Sequence, residues 1–263
     1  MHGRRDRVAA HRRRATIATL LFAGAAAAQT GSPVTTDMPD SHPANVSAPA
    51  LGAHTLLAHS EGMGVSPAVT APIDTQPEGS SLIVLNGGYA GNAVKPIDNY
   101  GNHWKRVGDS VVYNGYGGAF NVTAYVVPSA KGGKGHTVTI AKPANPAGEI
   151  SVPFVEIMHA GVLKDVAQNY PAPGLVLTSG SVTTTGPATL VAVWWGDGGI
   201  KHMTTRPDSG FTMLDSYLML PDNSGVQSAV AYRQVSAAGT YNVSWIGSPI
   251  QGAILFLFAF QAK

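Results

Sequence analysis

The chain has 263 residues, 44% of them hydrophobic and only 12% charged, with 31 Gly, 18 Pro and no Cys. Charge is about half of the ~25% usual in soluble domains, and Gly plus Pro, about 19% of residues, stays below the roughly 25–30% that marks low-complexity disorder. Without Cys there is no disulfide, thiolate metal ligand, cysteine nucleophile or lipidated cysteine, which removes several enzyme and anchor classes at once.

Residues 1–14 carry six Arg and one Asp and run into Ala15–Ala28, an uncharged stretch that holds Ile17, Leu20, Leu21 and Phe22. A basic start, a short apolar run and small residues before Gln29 predict a cleaved export signal over residues 1–28. A membrane anchor would need about 20 apolar residues, so no membrane span is expected once the signal is gone. Arg12-Arg13-Arg14 also suits the twin-arginine route, so export by Sec or twin-arginine to a secreted or periplasmic location is expected. Removing residues 1–28 takes away six of the 17 basic and one of the 15 acidic residues, leaving 11 against 14 and a formal charge of −3. The basic balance belongs to the signal, and with it goes the case for nucleic acid, which needs a stripe of Lys and Arg.

From Gln29 to Val65 the sequence is rich in Ala, Ser, Thr, Pro and His, and no aromatic residue occurs between Phe22 and Tyr89. Such a segment buries too little to offset its ordering entropy, so residues 29–65 are expected to be a flexible linker and residues 66–263 the folded domain, opening with an extended Ala68–Thr75 stretch. Strand signals then recur between Gly, Pro, Asn and Asp. In chain order they fall at Leu82–Leu85, His103–Val107, Ser110–Tyr113, Ala119–Val127, His136–Ala141, Ile150–Ile157, Ser181–Thr185, Thr189–Trp195, Phe211–Met219, Ser228–Val235, Thr240–Ile246 and Gly252–Phe260. With no sustained 3.6-residue period, the pattern predicts an all-β, antiparallel two-layer β-sandwich, jelly-roll-like in its number of short strands. In Thr240–Ile246, Tyr241, Val243 and Trp245 share one face, and Asn242 and Ser244 the other. Leu190–Trp195 and Ala253–Phe260 are apolar on both faces and need cover outside, from a loop or from a subunit contact.

Trp194 and Trp195 are adjacent on one strand and so point to opposite faces. The ring outside the sandwich core either packs under a covering loop or, with Asp197 nearby, forms a platform for a sugar. Trp104 and Tyr116 join Trp195 and Asp197 as candidate ligand contacts. Tyr116 lies in Tyr113–Gly118, a Tyr, Asn and Gly segment that suits either a recognition loop or a plain Asn114-Gly115 hairpin turn. Asp98, Asn99 and Asn102 offer oxygens for Ca²⁺, and equally the side chains of a tight turn. Glu156 and Asp215 interrupt apolar strands and are candidates for acid and base in glycoside hydrolysis, or for structural pairing with Arg106 or Arg233. His103, His136, His159 and His202 are scattered, with no zinc-binding run, and nucleophile-elbow, P-loop and Rossmann patterns are absent. No cofactor is expected.

Asp98-Asn99-Tyr100-Gly101-Asn102 followed by Trp104, then Val155-Glu156-Ile157, Thr183-Thr184-Thr185, Gly210-Phe211-Thr212 and the closing Gly252–Phe260 strand, come in a suggestive order. From about Val65 to the C-terminus the chain resembles secreted bacterial β-sandwich modules with a DN-x-GN-x-aromatic turn and a late GFT strand start. The resemblance implies a fold and export and carries over no catalytic residues. The leading expectation is an exported, non-enzymatic module that binds a surface ligand, a glycan or other cell-surface polymer. The alternatives are a polysaccharide hydrolase built on the strand carboxylates, and a structural module that self-associates as a homo-oligomer through its doubly apolar strands.

Overall fold

A computed structural model describes residues 47–59, 66–89, 94–141, 148–159, 161–196, 203–218 and 226–262, all within a unit spanning Ala44–Lys263. The predicted signal over residues 1–28 lies outside them. In chain order the strands are β1 (Leu51–His59), β2 (Ala68–Val69), β3 (Glu78–Tyr89), β4 (Ile97–Asp98), β5 (Lys105–Val112), β6 (Phe120–Lys131), β7 (Val138–Ile140), β8 (Ile150–Ile157) and β9 (Val162–Asn169). They continue as β10 (Gly174–Thr178), β11 (Val182–Thr184), β12 (Ala188–Gly196), β13 (Thr204–Pro207), β14 (Thr212–Tyr217), β15 (Gln227–Val235), β16 (Gly239–Tyr241), β17 (Ser244–Gln251) and β18 (Ala253–Gln261). Two five-stranded antiparallel sheets, ordered β1-β8-β3-β6-β5 and β14-β15-β12-β18-β9, form the sandwich.

The alternation of strand side chains decides the layering. Ile83, Leu85, Val122, Ala124, Val155, Val191, Val193, Trp195, Val230, Phe256 and Phe258 meet between the two sheets as one core. Their neighbours in sequence point outward and are buried too, because small sheets cover both outer faces. Sheet β2-β7-β4 brings Ala68, Val138 and Ile140 over Leu82, Val84 and Phe154. Sheets β10-β17-β13 and β11-β16 bring Leu177, Val182, Val243 and Trp245 over Leu190, Ala192, Trp194, Leu255 and Leu257. The doubly apolar β12 and β18 are therefore covered by the chain's own small sheets, which removes the reason to expect a subunit contact on them. The expected sharing of a face by Val243 and Trp245 is observed, since both are fully buried there.

The connectivity repeats itself. Residues 51–157 supply every strand of one large sheet and residues 162–261 every strand of the other, whereas a jelly roll's chain alternates between sheets. Replacing β1, β8, β3, β6 and β5 by β9, β18, β12, β15 and β14 converts the first sheet order into the second, and β2-β7-β4 likewise becomes β10-β17-β13. The sequence keeps an echo: Ala124-Tyr125 on β6 and Ser129-Ala130-x-Gly132 at its end recur as Ala231-Tyr232 on β15 and Ser236-Ala237-x-Gly239 running from its end into β16. The sheets face each other with β1 against β14, β8 against β15 and β5 against β9. That is the arrangement of a two-fold exchange of the halves. Towards one end of the two central strands the counterparts β3 and β12 oppose Gly87 to Trp195, and a Cβ at Gly87 would run into the indole.

Three expectations change. Residues 51–59 fall in the expected linker, yet they form β1, which pairs along β8 from Leu51↔Ile157 to His59↔Ile150. Strand pairing supplies there what apolar content alone does not. His103–Val107 and Ser110–Tyr113 fuse into β5, whose pairing with β6 shifts register between Val107 and Val111, around Gly108 at φ 67°. Thr240–Ile246 divides into β16 and β17.

Candidate ligand-binding end of the sandwich

Strand direction sorts the connections. His59↔Ile150, Gly88↔Ile150, Tyr89↔Phe120 and Val112↔Asn121 close one end of the first sheet. Gly196↔Gln227, Gly196↔Ala253, Tyr217↔Ser228 and Leu255↔Asn169 close one end of the second. The two ends coincide, because the Tyr113 ring that follows β5 lies 5.7 Å from Tyr170 after β9 and 6.0 Å, edge-on, from Trp195 on β12. The β1–β2, β3–β4, β5–β6, β9–β10, β12–β13 and β14–β15 connections all leave from this loop end. Loops held by a rigid scaffold are where binding residues concentrate.

The four proposed ligand contacts separate. Tyr116 belongs to the β5–β6 connection, in a short 3₁₀ turn over Tyr116–Gly118. Asp197 follows Gly196, the last residue of β12, so the chain enters the β12–β13 connection there; the residue itself lies outside the described ones. Trp195 is at this end but 1% exposed, packed between the sheets against Tyr113, so it is the base of the loop end and not a surface platform. Trp194 is buried to the same extent on the opposite face, under the covering strands. Trp104 stands just before β5, at the far end, and is buried with its indole N–H donating to Asp98 Oδ2 at 2.8 Å. Buried in this way, it offers no exposed face to a ligand.

The predicted Ca²⁺ set is a hydrogen-bonded turn. Asp98 Oδ1 accepts the N–H groups of Tyr100 and Asn102 at 2.9 and 3.1 Å. Asn99 Oδ1 accepts from the Thr137 N–H at 3.0 Å, and Asn102 Oδ1 from the Lys131 N–H at 2.8 Å. Oxygens that already face N–H donors are turned away from a cation, so the turn reading holds for Asp98, Asn99 and Asn102. Burial pushes the Asp98 carboxyl up, but the His136 ring 3.9 Å away, the Asn102 and Tyr100 N–H groups and the Trp104 indole outweigh it and hold it at about 2.

The two carboxylates proposed as acid and base are each taken by a structural partner. Glu156, 1% exposed, accepts from Ser80 Oγ at 2.5 Å, the Gln76 N–H at 2.7 Å and the Ala53 N–H at 3.1 Å. Those donors occupy both carboxylate oxygens with structural partners. Asp215 Oδ2 lies 2.7 Å from His54 Nδ1, not beside an arginine. The hydrogen bond to Asp215 raises the His54 imidazole above its ordinary value against the opposing effect of burial. Both carboxylates thus grip consecutive residues of β1, Ala53 and His54, in a segment whose composition reads as linker. A His–Asp pair is the base-and-orienter half of a nucleophilic triad; among the described residues no hydroxyl hydrogen-bonds to His54. The arrangement fastens β1, the edge of one sheet, to β14, the edge of the other.

Sequence reasoning missed His54 and Tyr170, and took Tyr113 only as the start of the Tyr113–Gly118 segment. Tyr113 and Tyr170 stand just outside strand ends, and their meeting depends on β5 lying against β9. Among the described residues, no helix is long and apolar enough to cross a membrane. No family model, curated protein or solved structure matches the chain.

Proposed function

We propose that this is an exported binding module of the all-β class, with no catalytic role, whose loop end engages a glycan or another polymer of the cell surface. The observation that carries the reading is the meeting of the Tyr113, Tyr170 and Trp195 rings at the end of the sandwich from which the β5–β6 and β12–β13 connections leave. Aromatic side chains set among Asn and Gly supply rigid contact area with adaptable hydrogen bonding. The hydrolase alternative loses support because Glu156 and Asp215 are committed to β1. Tyr116→Ala and Asp197→Ala in the mature chain are expected to weaken retention on the cognate polysaccharide at least ten-fold, while Glu156→Gln leaves retention intact and no reducing ends appear. Retention indifferent to both loop variants would overturn the placement, and reducing ends lost in Glu156→Gln would overturn the non-enzymatic reading.

A further inference from the structure

Beside the loop end, where β13 begins and β14 finishes, a surface groove of about 390 Å³ runs between Met203, Thr204 and Thr205 on one wall and Ser216, Tyr217 and Leu218 on the other. Its size falls in the roughly 300–1,000 Å³ range of small-molecule sites. Among the described residues the lining has hydroxyls from both strands, one aromatic ring, two apolar side chains and no charge. Met203 and Thr205 also line a second, inner chamber enclosed by β10, β13 and β17 against Trp194, with about 10 Å³ open to the centre of a water-sized group.

The chamber is polar in an unusual way. Thr205, Trp245 and Gln251 line it and are 7%, 1% and 4% exposed. Thr205 Oγ1, Trp245 Nε1 and both Gln251 amide atoms have no hydrogen-bond partner in the protein. Buried polar atoms are nearly always hydrogen-bonded, so their convergence on one chamber marks a place for a group that both accepts and donates. The indole N–H and the Gln251 NH₂ need an acceptor, the Gln251 carbonyl needs a donor, and Thr205 can serve either way. An uncharged hydroxyl meets all three demands. A carboxylate cannot donate, and among the described residues the lining offers no cation to offset its charge.

We propose that groove and chamber together form a subsite for one neutral sugar residue, its ring in the groove and a hydroxyl, the sugar's own or a bridging water's, in the chamber. This rests on the glycan-binding reading above and sharpens it: the ligand is uncharged at this subsite, and Thr205, Trp245 and Gln251 select for that. Ser216 and Thr204 supply rim hydroxyls, and Tyr217 and Leu218 an apolar wall.

Trp245 is one of four tryptophans, so its indole N–H is a resolvable reporter in a ¹H–¹⁵N spectrum of the mature chain, assigned with Trp245→Phe. The titrants are the methyl glycosides of glucose, galactose, mannose and N-acetylglucosamine, with glucuronic acid as the charged comparison and water-sized methanol to separate solvent filling from sugar binding. At least one neutral glycoside is expected to move the Trp245 signal saturably, with glucuronic acid and methanol at least ten-fold weaker. Thr205→Val and Gln251→Leu, each checked as folded by the other three indole signals, are expected to weaken that response at least five-fold. A Trp245 signal unmoved by every neutral glycoside, moved equally by glucuronic acid or by methanol, or moved unchanged in both variants would overturn the subsite. If a polysaccharide is retained in a Tyr116-dependent way while Trp245 stays silent, the subsite falls and the loop-end reading stands; the reverse pattern does the opposite.

Discussion

Gly87 shows how tightly single residues are specified. It sits opposite Trp195 between the two sheets near the loop end, where any Cβ meets the indole. Gly87→Ala is expected to cost about 1–3 kcal/mol, the usual range for overpacking, measured as a shift of the denaturant midpoint. Trp195→Phe in the same chain should return part of the loss, and a Gly87→Ala variant as stable as the parent would refute the contact. Asp98 makes a second test at this scale. Its folded pKa, about 2, lies below the ordinary carboxylate value, so it contributes stability that is complete above about pH 4 and disappears as pH falls toward 2. Asp98→Asn should lower stability at pH 7 and flatten the acid limb between pH 4 and 2; an acid limb identical to the parent's would show that the turn does not depend on the charge. Which polar residues would be structural was legible only in part. The Asp98–Asn102 turn could be read from its Asn, Asp and Gly, whereas the use of Glu156 depends on donors from Ala53, Gln76 and Ser80, up to 103 residues away.

At the scale of elements, the junction of β1 and β14 is the most informative. His54 and Asp215 are 161 residues apart in sequence and join the edges of the two large sheets. Because the His54 pKa is raised above 6.5, its contribution is fully present below pH 6.5 and is lost as pH rises through the folded value. The parent's denaturant midpoint should therefore fall more between pH 5.5 and 8.5 than that of His54→Gln; parallel slopes would contradict the pairing. The counterpart junction of β5 and β9 is held by neutral groups, with Gln168 Oε1 accepting from the Asp109 N–H and Gln168 Nε2 donating to the Asp109 carbonyl, at 2.9 and 2.6 Å. It should be indifferent to pH over this range. Strong strands were legible: Ile150–Ile157 matches β8, and Thr189–Trp195 and Gly252–Phe260 fall within a residue of β12 and β18. β1 was not, because Leu51–His59 is only half-buried, has no aromatic residue and draws its stability from the ladder with β8. β9 was missed for a related reason: Lys164 and Asp165 interrupt it at an exposed sheet edge.

The unit spanning Ala44–Lys263 is a sandwich of two topologically equivalent halves, each with a large sheet and its own outer cover, sharing one central core. The sequence carries a trace of this in the repeated Ala-Tyr and Ser-Ala-x-Gly pairs, which a search for internal repeats at a spacing of about 107 residues would have found. The divergence of the rest hid it, because core strands conserve alternation and volume more than identity. The measurement that bears most directly on the account is a polysaccharide retention and thermal-shift panel on residues 29–263, the chain left by the proposed signal cleavage, with reducing ends assayed in the same samples. A ligand that binds only the folded state raises its stability, so a cognate glycan should raise the melting temperature and retain the protein without releasing product. Product release, or a panel of surface glycans that neither retains nor stabilises it, would contradict the proposal that this fold is a glycan-binding module.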